Sequence, residues 1–144
     1  MNNCPIGIFD SGLGGLTVLQ DLEENLPNET FIYFGDTARV PYGNKSSNTV
    51  IQYSNQIVQF LQSHHVKLVI VACNTSSALA LKSLKKKFNL PLFGVIEPAV
   101  IMAEEASVKD TIVILGTRAT IASSAYSKIF LKRKGAKKII EKAC

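Results

Sequence analysis

Cys73 is the side chain best suited to acid–base or nucleophilic work in this sequence, and Asn74 and Thr75 stand directly beside it. It follows the apolar run 68–72 and precedes a stretch of helical pattern, so its sulfur is expected at a helix N-terminus. A free thiol is only about 3% ionised at neutral pH, and a helix N-terminus lowers a thiol's pKa. Alone, a cysteine here would read as an inert buried thiol, the commoner fate of that residue. The adjacent amide and hydroxyl turn the reading towards a working thiolate. The sixth residue after it is Leu79 rather than Arg, which excludes a Cys-x5-Arg phosphatase loop.

A second cluster is Asp10-Ser11-Gly12-Leu13-Gly14-Gly15. Its glycines permit a tight turn into a helix and expose backbone amides at the helix start. The third glycine of a dinucleotide fingerprint would fall at Thr17, and no Gly-Lys-Ser/Thr follows, so neither a Rossmann nor a Walker A loop is present. Asp10 repels phosphate and suits an ammonium group, which points to a zwitterionic or amine-bearing ligand. The polar stretch 35–43 is long for a strand-to-helix connection and ends in Pro41-Tyr42-Gly43. There Tyr42 can close over a small ligand and Gly43 can present its N–H. His64 and His65 end a helical pattern and read as surface residues.

The elements that must position these groups are short apolar runs at 6–9, 30–34, 68–72, 92–95 and 111–115. Each is rich in Val, Ile or Phe with little polar alternation, the pattern of strands buried on both faces in a parallel sheet. Helical patterns lie between them at 16–25, 47–64, 76–88, 98–105 and 120–132. Hydroxyl caps are expected from Thr75, Ser76 and Ser77, and Pro98 suits a first helical turn. Five strand–helix units in succession predict an α/β fold with a doubly wound, flavodoxin-like parallel sheet flanked by helices. In such sheets ligands bind at the carboxyl ends of the strands. Asp10, Asp36, Cys73, Glu97 and Thr117 all follow apolar runs there.

The chain has 144 residues, 47% hydrophobic and 19% charged, a composition that excludes a disordered tail or a coiled coil. No apolar run could span a bilayer, and the first residues carry no basic leader pattern. A soluble, cytoplasmic protein without a membrane partner is expected. Three cysteines without a CxxC pair argue against a disulfide framework and a zinc site. The net charge of +5 belongs to residues 132–144, since residues 1–131 balance. That excess reads as a solvated helix end rather than a nucleic-acid patch.

Taken together, Asp10–Gly15, Tyr33-Phe34-Gly35-Asp36, Pro41-Tyr42-Gly43, Ala72-Cys73-Asn74-Thr75, Gly94–Pro98 and Gly116–Thr120 resemble the glutamate racemases, in both order and spacing. The resemblance implies a racemase that uses neither cofactor nor metal, interconverts L- and D-glutamate, and supplies D-glutamate for peptidoglycan. It implies two cysteines on opposite faces of the substrate Cα, one a thiolate base and the other a thiol acid, with Cys73 the first. Asp10, Ser11, Tyr42, Gly43, Asn74, Thr75 and Thr117 would hold the amino acid, with Glu97 nearby.

The family's second cysteine lies in a Cys-Thr-His motif beyond residue 144, and Cys144 is not followed by such a motif. The expectation is therefore an N-terminal portion: residues 1–97 in a first α/β domain and 98–144 beginning a second, truncated one. Little or no racemisation is expected from this chain alone, and an open domain face favours self-association. Rival readings are a racemase of another acidic amino acid or a hydantoin, a cysteine hydrolase, and a non-catalytic binding module.

Overall fold

The computed structural model describes residues 3–107, 111–133 and 138–144. Four strands, β1 (Ile6–Asp10), β2 (Phe31–Gly35), β3 (Leu68–Val71) and β4 (Leu92–Gly94), form one sheet in the order β2-β1-β3-β4. All its pairings are parallel, with Asp10 opposite Gly35 and Phe9 opposite Val71. The chain runs from β1 to β2 on one side, then crosses to β3 on the other. The topological switch therefore falls between β1 and β3, where a doubly wound sheet opens its ligand crevice.

Helices cover both faces, as continuous apolar strands require. Helix α1 (Leu16–Asn25) lays Val18, Leu19 and Leu22 over Ile6, Ile8 and Ile70. On the opposite face α2 (Ser47–Ser63) packs Ile57, Val58 and Leu61 against Phe9, Val69 and Val71. Alternate residues of β1 and β3 thus serve opposite layers. The predicted helix 76–88 is divided at Ala80 into α3 (Asn74–Leu79) and α4 (Leu81–Lys87). Leu84 of α4 is buried in the same core as α2.

The fifth strand does not join this sheet. After α5 (Ile96–Ala106), β5 (Thr111–Gly116) pairs in parallel with β6 (Lys138–Ala143) in a separate two-stranded sheet. The predicted helix 120–132 is also divided, into α6 (Arg118–Ala122) and α7 (Ala125–Lys132), with Ser124 between them in the left-handed region at φ 51°. Ile96, Val100, Ile114 and Phe130 form the core of this part. Lys134 and Lys137 of the basic tail lie outside the described residues. Within the described tail, Lys132 is in the last turn of α7 and Arg133 Nε lies 2.6 Å from Glu104. Among the described residues no helix is long and apolar enough to cross a membrane.

Candidate active site

The carboxyl ends of β1 and β3 bring the first two sequence clusters together. Cys73 is 4% exposed, and its Sγ lies 3.4 Å from Ser11 Oγ, a contact spanning 62 residues of sequence. The thiol is also the N-cap of α3, accepting the Ser76 N–H at 3.4 Å. The hydroxyls expected to cap this helix have other partners. Ser77 Oγ donates to the Val71 carbonyl at 2.8 Å, and Thr75 Oγ1 turns towards Thr117 and Thr120. Cys73 shares its apolar surroundings with Tyr42 and Val50.

Asp10 holds the turn that carries Ser11. Its carboxylate is 8% exposed and accepts the Gly15 N–H at 3.0 Å. A methyl on Gly15 would stand 2.8 Å from Asp10 Cβ and 3.0 Å from Ala72 Cβ, so only glycine lets α1 start this close to the strands. Tyr33 pins the same turn by donating its hydroxyl to the Gly12 carbonyl at 3.1 Å. Burial, with the nearby charges of Asp10 and Cys73, pushes the Tyr33 phenol up from 10 to about 12.

The connection after β2 closes the site from the other side. Tyr42 lies in a 3-10 turn, Tyr42–Asn44, is 1% exposed, and donates its hydroxyl to Asp36. Asp36 is itself buried, and Arg39 Nε lies 2.7 Å from its carboxylate. The Arg39 guanidinium sits 4.2 Å above the Tyr53 ring, so a buried charge is matched and the whole loop is fastened to α2. Burial and the Asp36 hydrogen bond hold the Tyr42 phenol far above the ordinary tyrosine range. Gly43 meets the second part of the molecule, where a methyl would stand 2.5 Å from Thr117 Cβ.

Thr117 caps α6 by accepting the Thr120 N–H at 3.3 Å. Its Oγ1 lies 3.0 Å from Thr75 Oγ1, and Thr120 Oγ1 is within 3.2 Å of Thr75 and 3.0 Å of Thr117. This hydroxyl triangle ties α6 to the helix that Cys73 begins. Asn74 is exposed on the site's other flank, where its Oδ1 accepts the Tyr126 hydroxyl at 2.6 Å. Burial raises the Tyr126 phenol as well.

The structure thus links Asp10, Ser11, Tyr42, Gly43, Thr75 and Thr117 to Cys73 through direct or shared contacts, with Asn74 at the rim. Glu97 is exposed and lines a different groove, with Phe93, Leu81 and Ile129. Sequence reasoning gave no role to Tyr33, Arg39, Thr120 or Tyr126. The signal for Thr120 was its i+3 spacing from Thr117 at a helix start; Tyr126 carried none. Among the described residues no histidine contacts Cys73; His64 Nδ1 is instead 2.9 Å from the Phe60 carbonyl. Among the described residues no group of three or more His, Cys, Asp or Glu could hold a metal ion.

The thiol is therefore buried at the switch point beside Ser11 and Tyr42, and the sequence that builds this site matches one family. The description "Asp/Glu/Hydantoin racemase" fits residues 6–143. The chain belongs to this family. Among racemases, it is 52% identical over 139 residues to the glutamate racemase of Aquifex aeolicus, covering 96% of this chain and 54% of that protein. The glutamate racemase of Francisella tularensis, solved with D-glutamate, superposes with a TM-score of 0.91 at 39% identity, covering 100% of this chain and 54% of that one. That of Aquifex pyrophilus gives a TM-score of 0.93 at 47% identity, covering 97% and 55% respectively. The chain spans about half the length of the curated relatives it matches.

Proposed function

We propose that this chain carries one proton-transfer half of a glutamate racemase, with Cys73 the group that faces one side of the substrate Cα. The observation that carries the reading is the position of the sulfur. It is buried at the β1/β3 switch point against Ser11, in the turn that Asp10 holds, with Tyr42 packed beside it and the Thr75–Thr117 pair in the helix it begins. As thiolate it takes the α-proton, leaving the electron pair delocalised into the substrate carboxylate. Racemisation is completed when a protonated acid on the opposite face delivers a different proton to Cα. The hydroxyls and the Gly43 N–H are preorganised donors for the carboxylates, and Asp10 suits the ammonium.

Cys144 supplies no second thiol to Cys73: it is exposed and its Sγ lies 3.5 Å from the Gly116 carbonyl. A single thiol serves a single face, so racemisation by this chain alone is expected to be slight. Residues 98–144 act in this reading as the opening of a second α/β domain. Exposed Val113 and Leu115 on β5 support self-association through that part. The physiological role that follows is a cytoplasmic supply of D-glutamate for peptidoglycan.

The test is site-resolved alkylation. Both glutamate enantiomers should slow iodoacetamide modification of Cys73 and leave exposed Cys144 unaffected. Protection by neither enantiomer overturns the reading. Turnover near that of a full-length relative would overturn the single-thiol part of it.

A further inference from the structure

We propose that the groove between the Tyr42–Asn44 turn and α6 is an anion subsite at the mouth of the Cys73 site, taking the carboxylate of an incoming dicarboxylic amino acid. The proposal rests on the reading of the site as one for glutamate. The groove is open to solvent, offers about 380 Å³ and is lined by Gly43, Asn44, Lys45, Arg118, Ala119 and Ala122. Two of these are cations and none is an acid. Among the described residues neither cation lies in an ion pair, whereas Arg39, Lys67 and Arg133 are each held by a carboxylate.

Each cation has a neutral partner among the described residues. Arg118 Nη2 donates to Asn44 Oδ1 at 3.4 Å, which aims the guanidinium across the groove. Lys45 Nζ stands 6.0 Å from the Tyr53 ring centroid. Positive charge collected on one wall, with no acid to cancel it, raises the local concentration of an anion and speeds its arrival. The groove also leads inward. Gly43 forms its wall and packs against Thr117, whose hydroxyl is 3.0 Å from Thr75, two residues from the thiol. An incoming dicarboxylate therefore meets the cations of the groove before its carboxylates pass to the inner hydroxyls.

The experiment titrates the isotopically labelled 144-residue chain with L-glutamate, glutarate, L-glutamine and inorganic phosphate, reading the Arg118 Nε and Ala119 amide resonances. Glutarate carries two carboxylates and no amino group, so it reports on the groove independently of the thiol chemistry. Glutamate and glutarate should shift both resonances at low ionic strength, with glutamine about tenfold weaker. The shifts should fade in about 0.5 M salt, where charges a few ångströms apart are screened. Arg118→Gln combined with Lys45→Gln should abolish the glutarate response and weaken glutamate protection of Cys73 by about tenfold. Glutarate leaving both resonances unmoved, phosphate binding tighter than glutarate, or a double variant equal to the parent would each overturn the subsite. Failure of glutamate to protect Cys73 in the parent chain overturns the racemase reading instead, and the glutarate titration still decides the groove.

Discussion

Gly43→Ala probes the seam between the two parts of the site. The added methyl would stand 2.5 Å from Thr117 Cβ, 2.7 Å from Cγ2 and 3.1 Å from Oγ1. Carbon pairs settle at about 3.5–4.0 Å, so the overlap is about an ångström and one partner must move. Gly43 sits in a short turn anchored by buried Tyr42, whereas Thr117 is exposed, so Thr117 should give way. Moving it strains the 3.0 Å contacts to Thr75 and Thr120 and the cap of α6. Overpacking costs about 1–3 kcal/mol, and an exposed partner places this substitution near about 1–2 kcal/mol. That amounts to a fall of about 3–8 °C in Tm, measurable by calorimetry or urea unfolding. Gly14→Ala is the control, because its methyl would meet only Asp10 Oδ2 at 3.6 Å, and a change within about 0.5 kcal/mol is expected. A Thr117→Gly background removes the clashing carbons and costs the cap only a few tenths, roughly. In that background Gly43→Ala should fall to about 0.5 kcal/mol or less. An undiminished cost there would refute the contact as the cause.

The remaining predictions concern the groups around the thiol. Tyr33→Phe removes the bond to the Gly12 carbonyl and should cost about 0.5–1.5 kcal/mol in urea unfolding, with poorer glutamate protection of Cys73. Cys73→Ser keeps an N-cap acceptor for Ser76 and should preserve stability, whereas Cys73→Ala should cost about 1 kcal/mol more by thermal unfolding. Ultraviolet titration should show Tyr33 protonated beyond the ordinary 10, ionising near about 12. Because the folded value is the higher one, the protein holds that proton more tightly than the unfolded chain. Tyr33's contribution to stability is therefore complete below about pH 10 and is lost as the pH rises to about 12. Denaturant midpoints should fall across that interval by less in Tyr33→Phe than in the parent.

Several features were legible because they depend on near neighbours in the chain. Short apolar runs followed by a polar residue marked Asp10, Asp36 and Cys73 as strand ends, and sheet topology then gathered Ser11 and Cys73. Other features depend on partners far along the chain. Tyr33 acquires its role only once its hydroxyl reaches the turn at Gly12, 21 residues away, whereas Asp36 meets Arg39 and Tyr42 within six residues because the connection folds back on itself. The helix divisions at Ala80 and Ser124 leave no apolar-period signal, since the hydrophobic spacing runs on through both. The run 111–115 is as apolar as its predecessors, so composition could not reveal that β5 pairs with β6 outside the first sheet. The expected hydroxyl cap failed for a related reason: Thr75 finds Thr117, forty-two residues away, and the sulfur takes its place.

The most direct measurement is proton exchange at the substrate's α-carbon in heavy water, followed by nuclear magnetic resonance for each glutamate enantiomer separately. A single thiol on one face should wash deuterium into one enantiomer with its configuration kept, and Cys73→Ser should abolish the exchange. Equal exchange with and without the sulfur, or none in the parent chain, would contradict the assignment of proton transfer to Cys73.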